Sequence, residues 1–299
     1  MRWIRDYKPN PVKEKLYRQA LILTVTGNVL LAASKGLVAY LTGSVALYAD
    51  AANSISDVLY SLLMALGLWM ALQPPDISHP QGHSRFEPLV GLAVSLSMAF
   101  AGYEAARASL ERFTMGGLAV EIGMPTLVLL ASAAVKAGMY YFIHRLAKIL
   151  QSPTLATTAR DNLSDVLTSV AAFLGIYGSY FLHPLLDPIA GLLVSVWIFR
   201  AAFNAATENL RYLTGAGASL ELRQQIVKEA ESVPGVLKVH HLMTEYAGPQ
   251  LVVDLHLNVN GDTTLNNSHA IADAVIQKLE DLPEVDRAYV HIEPDDWTD

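Results

Sequence analysis

The chain has 299 residues, 52% hydrophobic and 16% charged, with a formal net charge of −7 and no cysteine. Its mean hydropathy is positive, +0.31, a membrane composition diluted by something soluble. Without cysteine, disulfides and thiolate zinc sites are excluded, and metal ligands have to come from His, Asp, Glu, Asn or backbone oxygens.

The soluble part is located by charge. Residues 1–214 carry 16 Lys+Arg against 13 Asp+Glu, a surplus of +3, whereas residues 215–299 carry 5 against 15, or −10. An acidic soluble region excludes nucleic acid, whose phosphates demand basic patches. It suits attraction of cations.

The N-terminus is basic (Arg2, Arg5, Lys8, Lys13, Lys15, Arg18). The apolar run after it lacks a small-residue cleavage site, so it reads as the cytoplasmic flank of a first helix and not as a signal peptide. Apolar stretches of spanning length, about 20 residues each, then fall at 17–41, 44–72, 88–113, 118–147, 156–183 and 186–208. Six transmembrane helices are predicted. The breaks at Thr42-Gly43-Ser44, Met115-Gly116-Gly117 and His183-Pro184 hold no Lys or Arg, while the other connections hold Arg85, or Arg145, Lys148 and Arg160. The positive-inside rule therefore puts both termini in the cytoplasm. Arg107 and Arg112 oppose this, but Glu104 and Glu111 stand at helical spacing to pair with them.

Two of the predicted spans carry nearly the same polar insertion, Ser54-Ile55-Ser56-Asp57-Val58-Leu59 and Asn162-Leu163-Ser164-Asp165-Val166-Leu167. Each has a second oxygen-bearing side chain one helical turn earlier, Asn53 and Asp161, and residues four apart share a helix face. Carboxylates in a bilayer are costly unless they line a cavity, pair, or bind an ion, which marks these four as a functional site. The predicted topology gives the two segments opposite orientations, in halves of three helices each. Such an inverted repeat, with its polar site at the interface, is the architecture of secondary transporters. Asp50 lies on the face of Asn53 and Asp57, nearer the helix end, and reads as a supporting group. Asn28, Lys35 and Lys136 read as packing or snorkelling groups.

Between the second and third spans, Asp76, His79 and His83 put three potential metal ligands within eight residues, beside Pro80 and Gly82; the alternative is a solvated loop whose histidines only titrate. After Leu213 the pattern changes. Residues 219–233 have helical periodicity with Ser219 placed as cap, 236–245 and 250–259 read as strands around a Gly248-Pro249 turn, 267–282 is helical, and 285–292 is a final strand. This αββαβ order predicts a two-layer domain with helices on one face of a sheet. Asp254 and His256 share a face of their strand, and its partners bring His240 and His291 toward them.

The run from Gly43 through Asp57 (GSVALYADAANSISD) resembles the helix 2 signature of the cation diffusion facilitator family of divalent metal transporters. The run His79-Pro80-Gln81-Gly82-His83-Ser84-Arg85-Phe86-Glu87 resembles the family's loop and start of helix 3. What the resemblance implies is an α-helical membrane protein of six transmembrane helices with an inverted three-plus-three repeat (1–213), followed by a small cytoplasmic ferredoxin-like α+β domain that binds metal and dimerises (214–299). It implies a homodimer in the cell membrane that exports a divalent metal against protons, with no prosthetic group. The transport ligands fall on Asn53, Asp57, Asp161 and Asp165. The loop of Asp76, His79 and His83 falls on a second, cytoplasm-facing site. His240, His256, His269, His291 and Glu293 align with positions that bind paired metals at the dimer interface of zinc transporters in the family, which leaves a regulatory sensor of the transported metal and a zinc site as alternatives.

Zinc carriers of the family usually place His first in at least one ligand pair, and this chain does not. Amide and carboxylate oxygens are harder than imidazole and suit Mn(II), then Fe(II), so the order expected is manganese, iron, then zinc or cobalt. A metal-dependent hydrolase would need a further His or Glu beside the ligand pairs. None stands at i+3 or i+4, and HExxH, nucleophile-elbow and Walker A motifs are absent, so no enzyme is expected.

Overall fold

A computed structural model describes residues 3–5, 10–43, 45–116 and 124–295. Within its helices, the side chains of 42, 45–47, 49, 53, 124 and 125 lie outside that description. The expectations placed on Ser44, on Gly117 and on 118–123 at the start of the fourth span therefore lie outside it too. The chain divides into two compact units, Met1–Leu210 and Arg211–Asp299.

The first unit is built of six long helices: α1 (Pro11–Thr42), α2 (Val45–Ala71), α3 (Phe86–Thr114), α4 (Met124–Leu150), α5 (Pro153–Phe181) and α6 (Leu186–Leu213). The last few residues of α6 run into the second unit. α1 starts several residues before the predicted apolar run because the chain supplies a cap there. The Asn10 side chain accepts from the Lys13 N–H at 3.0 Å, and Pro11 occupies the first turn, where no donor is needed. The helix closes on Gly43 at φ 65°, the left-handed conformation that glycine adopts without strain.

Among the described residues, five helices (α1, α2, α3, α4 and α6) are long and apolar enough to cross a membrane. α5 is not among them, although its 29 residues span about 43 Å at 1.5 Å per residue. Its shortfall is one of composition: Arg160, Asp161, Asn162, Ser164, Asp165, Thr168 and Ser169 fall in or next to its middle. The helix carrying the densest functional pattern thus loses the simple hydropathy signal.

α1 packs along α2 and α4 along α5, equivalent pairs in a three-plus-three repeat, with further contacts of α1 with α4, α2 with α3 and α3 with α5. A buried core of Tyr17, Ala20, Met64, Leu68, Ile143, Leu155 and Ala159 joins α1, α2, α4 and α5. At Gly91 on α3, an added Cβ would sit 2.0 Å from Asn209 Oδ1 of α6. Only glycine permits that approach, and Asn209 in turn donates to Thr157 Oγ1 of α5 at 2.9 Å.

The second unit is α7 (Leu220–Glu231), β1 (Lys238–Ala247), β2 (Gln250–Val259), α8 (Leu265–Glu280) and β3 (Val285–Pro294), the predicted αββαβ order. β2 lies between antiparallel β1 and parallel β3. Alternation along β2 puts Val253, Leu255, Leu257 and Val259 in the core with Ile226 and Ala230 of α7 and Val275 and Leu279 of α8. The opposite face of β2 presents Val252, Asp254, His256 and Asn258, all half-buried. The result is an α+β, ferredoxin-like domain whose helices cover one sheet face only.

Replacing Leu255 by Ala, at a fully buried site, should destabilise this unit by about 2–5 kcal/mol. Leu265→Ala, at an 84% exposed site, should stay within about 0.5 kcal/mol. Hydrogen exchange of the β2 amides in the full-length protein measures both.

Candidate functional site

The bundle brings charge together from three helices. Asp57 of α2 and Asp165 of α5 both face Lys136 of α4, with Oδ2–Nζ distances of 3.1 and 2.6 Å. The lysine side chain is 7% exposed. Asp161 stands one turn before Asp165 on α5 and is half-buried. Asn53 stands one turn before Asp57 on α2, but its side chain lies outside the described residues. Beside Asp57, Asn28 of α1 donates to Ser61 Oγ at 2.7 Å and to the Asp57 carbonyl at 3.4 Å. Asp50, a turn and more away, is paired with Lys35 of α1 at 2.8 Å.

Neither lysine snorkels. Both are buried and ion-paired to carboxylates on neighbouring helices. The signal in the sequence was Lys136 itself, a charge in the middle of an apolar run (Ala133 to Phe142) far from either end of its helix. A residue in that position needs a partner as much as the aspartates do.

The start of α5 is fixed where several polar groups converge on Glu87, a buried carboxylate at the start of α3. Tyr17 Oη of α1 donates to it at 2.9 Å, the Ser152 hydroxyl donates to its other oxygen, and Thr154 donates to its backbone carbonyl. Ser152 also accepts from the Leu155 N–H at 3.1 Å, capping α5. Further along, Arg160 pairs with Glu208 of α6. α5 is thereby held against α1, α3 and α6 before it delivers Asp161 and Asp165.

In the loop between α2 and α3, Asp76, His79 and His83 hold ligand atoms within 4.8 Å of one another. Asp76 Oδ1 accepts from the His79 N–H at 2.6 Å, and its two oxygens lie 3.4 Å from His79 Nδ1 and 3.6 Å from His83 Nε2. The backbone folds around the cluster, with the Asp76 N–H donating to the His79 carbonyl and Gly82 at φ 97° turning the chain.

On the open face of the sheet, Glu293 of β3 gathers three imidazoles: His240 Nε2 at 3.0 Å, His256 Nδ1 at 3.5 Å and His291 Nε2 at 3.4 Å. His256 and His291 are direct cross-strand partners. His240 arrives by a route that strand alternation does not predict. A β-bulge between Val239 and His241 turns both His240 and His241 toward β2, the first contacting Asn258 at 3.0 Å and the second lying 4.7 Å ring to ring from His256. His269 stands apart. It lies on α8 in the helix layer, 76% exposed, and its carboxylate neighbour is Asp273 at 3.6 Å. Four of the five tail residues are thus brought together within one chain, and the fifth is not.

The donor set on the sheet fits a metal. His240, His256 and Glu293 have ligand atoms within 4.8 Å, and His256 Nδ1 and Glu293 Oε2 are buried without a hydrogen bond of suitable geometry. Imidazole and carboxylate are the donors that Zn(II) and its first-row neighbours take when thiolates are absent.

Comparison with known proteins agrees with the architecture. The cation efflux transmembrane domain matches residues 21–214, and the cytoplasmic domain of cation efflux proteins matches residues 218–295. The chain belongs to the cation efflux, or cation diffusion facilitator, family. Its members are transporters, and this is a multi-pass membrane protein for the efflux of divalent metal cations. It is 36% identical to an uncharacterized transporter of Methanocaldococcus jannaschii over 91% of this chain and 96% of that one. It is 30% identical to metal tolerance protein C1 of Arabidopsis thaliana, over 96% of this chain and 64% of that one. It is also 27% identical to the manganese efflux system protein MneS of Bacillus subtilis, over 91% and 94%.

The hydrogen bond from the His79 N–H, aided by the nearby imidazoles, holds the Asp76 carboxyl below the usual aspartate range. A depressed carboxyl pKa adds stability that is present above the unfolded value and lost as pH falls through the folded one. Carboxyl-carbon NMR should therefore show Asp76 titrating at lower pH in the folded protein than in the urea-unfolded chain, with the loop loosening only on the acid side.

Proposed function

We propose that this protein exports Mn(II), with Fe(II) as its next cargo, from the cytoplasm across the cell membrane in exchange for protons. In this reading Asn53, Asp57, Asp161 and Asp165 are the transport ligands. The protein works as a homodimer with both termini cytoplasmic, and residues 214–299 form its metal-binding and dimerising part after a transport domain of 1–213. The observation that carries the proposal is the meeting of Asp57 and Asp165, from two different helices, on one buried cation. Around it the candidate donors are oxygens only, the hard donor set that favours Mn(II) and Fe(II) over zinc. Similarity to a protein named for manganese efflux supports the same choice.

Two carboxylates on α5 and one on α2 repel one another in a poorly solvated site, so protons and metal compete for the same oxygens. Metal arriving from the cytoplasm takes the place of protons, and protons arriving from outside release it. Rocking of the helices that carry the ligands opens the site to one side at a time. The Asp76, His79 and His83 loop feeds or gates this pathway from the cytoplasmic side. The tail face of His240, His256, His291 and Glu293, joined by His269 in the dimer, senses metal.

A second reading is zinc or cobalt export, favoured by that same tail, because imidazole-rich sites prefer borderline metals. Proteoliposomes under a proton gradient, offered Mn(II), Fe(II), Zn(II) and Co(II) in competition, decide between the two. Manganese flux should exceed zinc flux, and the reverse order overturns the manganese assignment. Asp57→Ala and Asp165→Ala should each abolish flux, and unchanged flux in either would remove that residue from the transport site. Glu293→Ala should weaken metal binding to the tail at least tenfold by calorimetry, since it withdraws the group shared by three histidines.

A further inference from the structure

Lys136 is placed where a transported cation would be expected. Its ammonium stands between carboxylates of α2 and α5, at 3.1 and 2.6 Å, on a helix that belongs to neither ligand pair. Its side chain is 7% exposed, less than either of its partners, at 22% and 34%. An ammonium has three donors and no acceptor; one donates to Asp57 Oδ2, and Asp165 Oδ2 lies within ion-pair distance.

A divalent cation needs carboxylate oxygens at about 2.0–2.6 Å. Ammonium and metal therefore cannot both stand between the same two oxygens. Charge adds a second argument. With Lys136 in place, Asp57, Asp161 and Asp165 leave a formal −2; a divalent ion standing in place of the ammonium leaves −1, the better match. A monovalent ion entering in place of the ammonium would exchange one unit charge for another, and would compete against a group already tethered at high effective concentration.

We infer that Lys136 is a built-in counter-cation that holds the cargo position between Asp57 and Asp165 and is expelled when a divalent metal binds. It thereby lowers metal affinity to a releasable level and excludes monovalent ions. The inference rests on the assignment of Asp57 and Asp165 as cargo ligands.

Equilibrium binding of Mn(II) to the purified full-length protein in detergent, with Asp76→Ala, His256→Ala and Glu293→Ala as the common background so that the loop and tail donors contribute no binding, tests it. Lys136→Met should bind Mn(II) at least tenfold more tightly than that background alone and should become sensitive to competition by excess sodium. Lys136→Arg, which keeps the charge, should do neither. Equal or weaker Mn(II) binding by Lys136→Met, with Asp57→Ala and Asp165→Ala abolishing binding, overturns the counter-cation role. Undiminished binding in both aspartate variants overturns the ligand assignment instead. A measurement on the unsubstituted protein guards against a variant that does not fold. Acetic anhydride labelling of Lys136, read by mass spectrometry, should rise severalfold when Mn(II) is added, because the amine is released from its carboxylates. Unchanged labelling also overturns the inference.

Discussion

Charge in a medium that cannot solvate it has to be matched by other charge or by hydrogen bonds, and the transmembrane unit is organised by how that requirement is met. Lys35 of α1 meets Asp50 of α2, Arg112 of α3 meets Asp187 of α6, and Arg160 of α5 meets Glu208 of α6. Lys136 of α4 answers Asp57 of α2 and Asp165 of α5 together. Glu87 is met by Tyr17 of α1 and by Ser152 at the N-cap of α5. Every one of these contacts joins different helices. In lipid, where apolar side chains gain little by leaving the bilayer for one another, such polar links and close small-residue packing fix helix positions. The three-helix link at Lys136 is then special. There one cation joins carboxylates from two other helices at once.

The C-terminal unit handles charge in the opposite way. Its helices and the inner sheet face form an apolar core, and His240, His256, His291 and Glu293 are gathered on the uncovered face. That face is acidic and imidazole-rich, with His291 exposed and Glu293 buried beneath the imidazoles. Metal affinity there depends on how closely β1, β2 and β3 bring their donors, which is a matter of strand register.

Much of this was legible in the sequence where period and spacing carry the signal. The αββαβ order followed from alternation and turn residues, and the paired Asp57 and Asp165 stood out because a repeated carboxylate in apolar context is costly. The clustering of Asp76, His79 and His83 followed from their nearness along the chain. What was not legible depends on tertiary partners. Lys136 looked like a snorkelling group because the rule for a long cationic side chain takes no account of two aspartates on other helices. His269 aligned with the tail donors by position, but it belongs to the helix layer and not to the open sheet face. α5 loses its span signal because the residues that make the site are those that lower its hydropathy. The early start of α1 depended on one capping side chain at Asn10.

The bulge in β1 makes the geometry of the tail depend on chain length as well as on residue identity. In a regular strand, two consecutive residues cannot both face the same way. Removing one residue at the bulge would restore alternation and turn His240 away from Glu293, while every histidine and the glutamate remained in the chain. An alignment of donors alone would then report an intact site where none survived. In this part of the fold the donor residues have meaning only in the frame of that backbone irregularity.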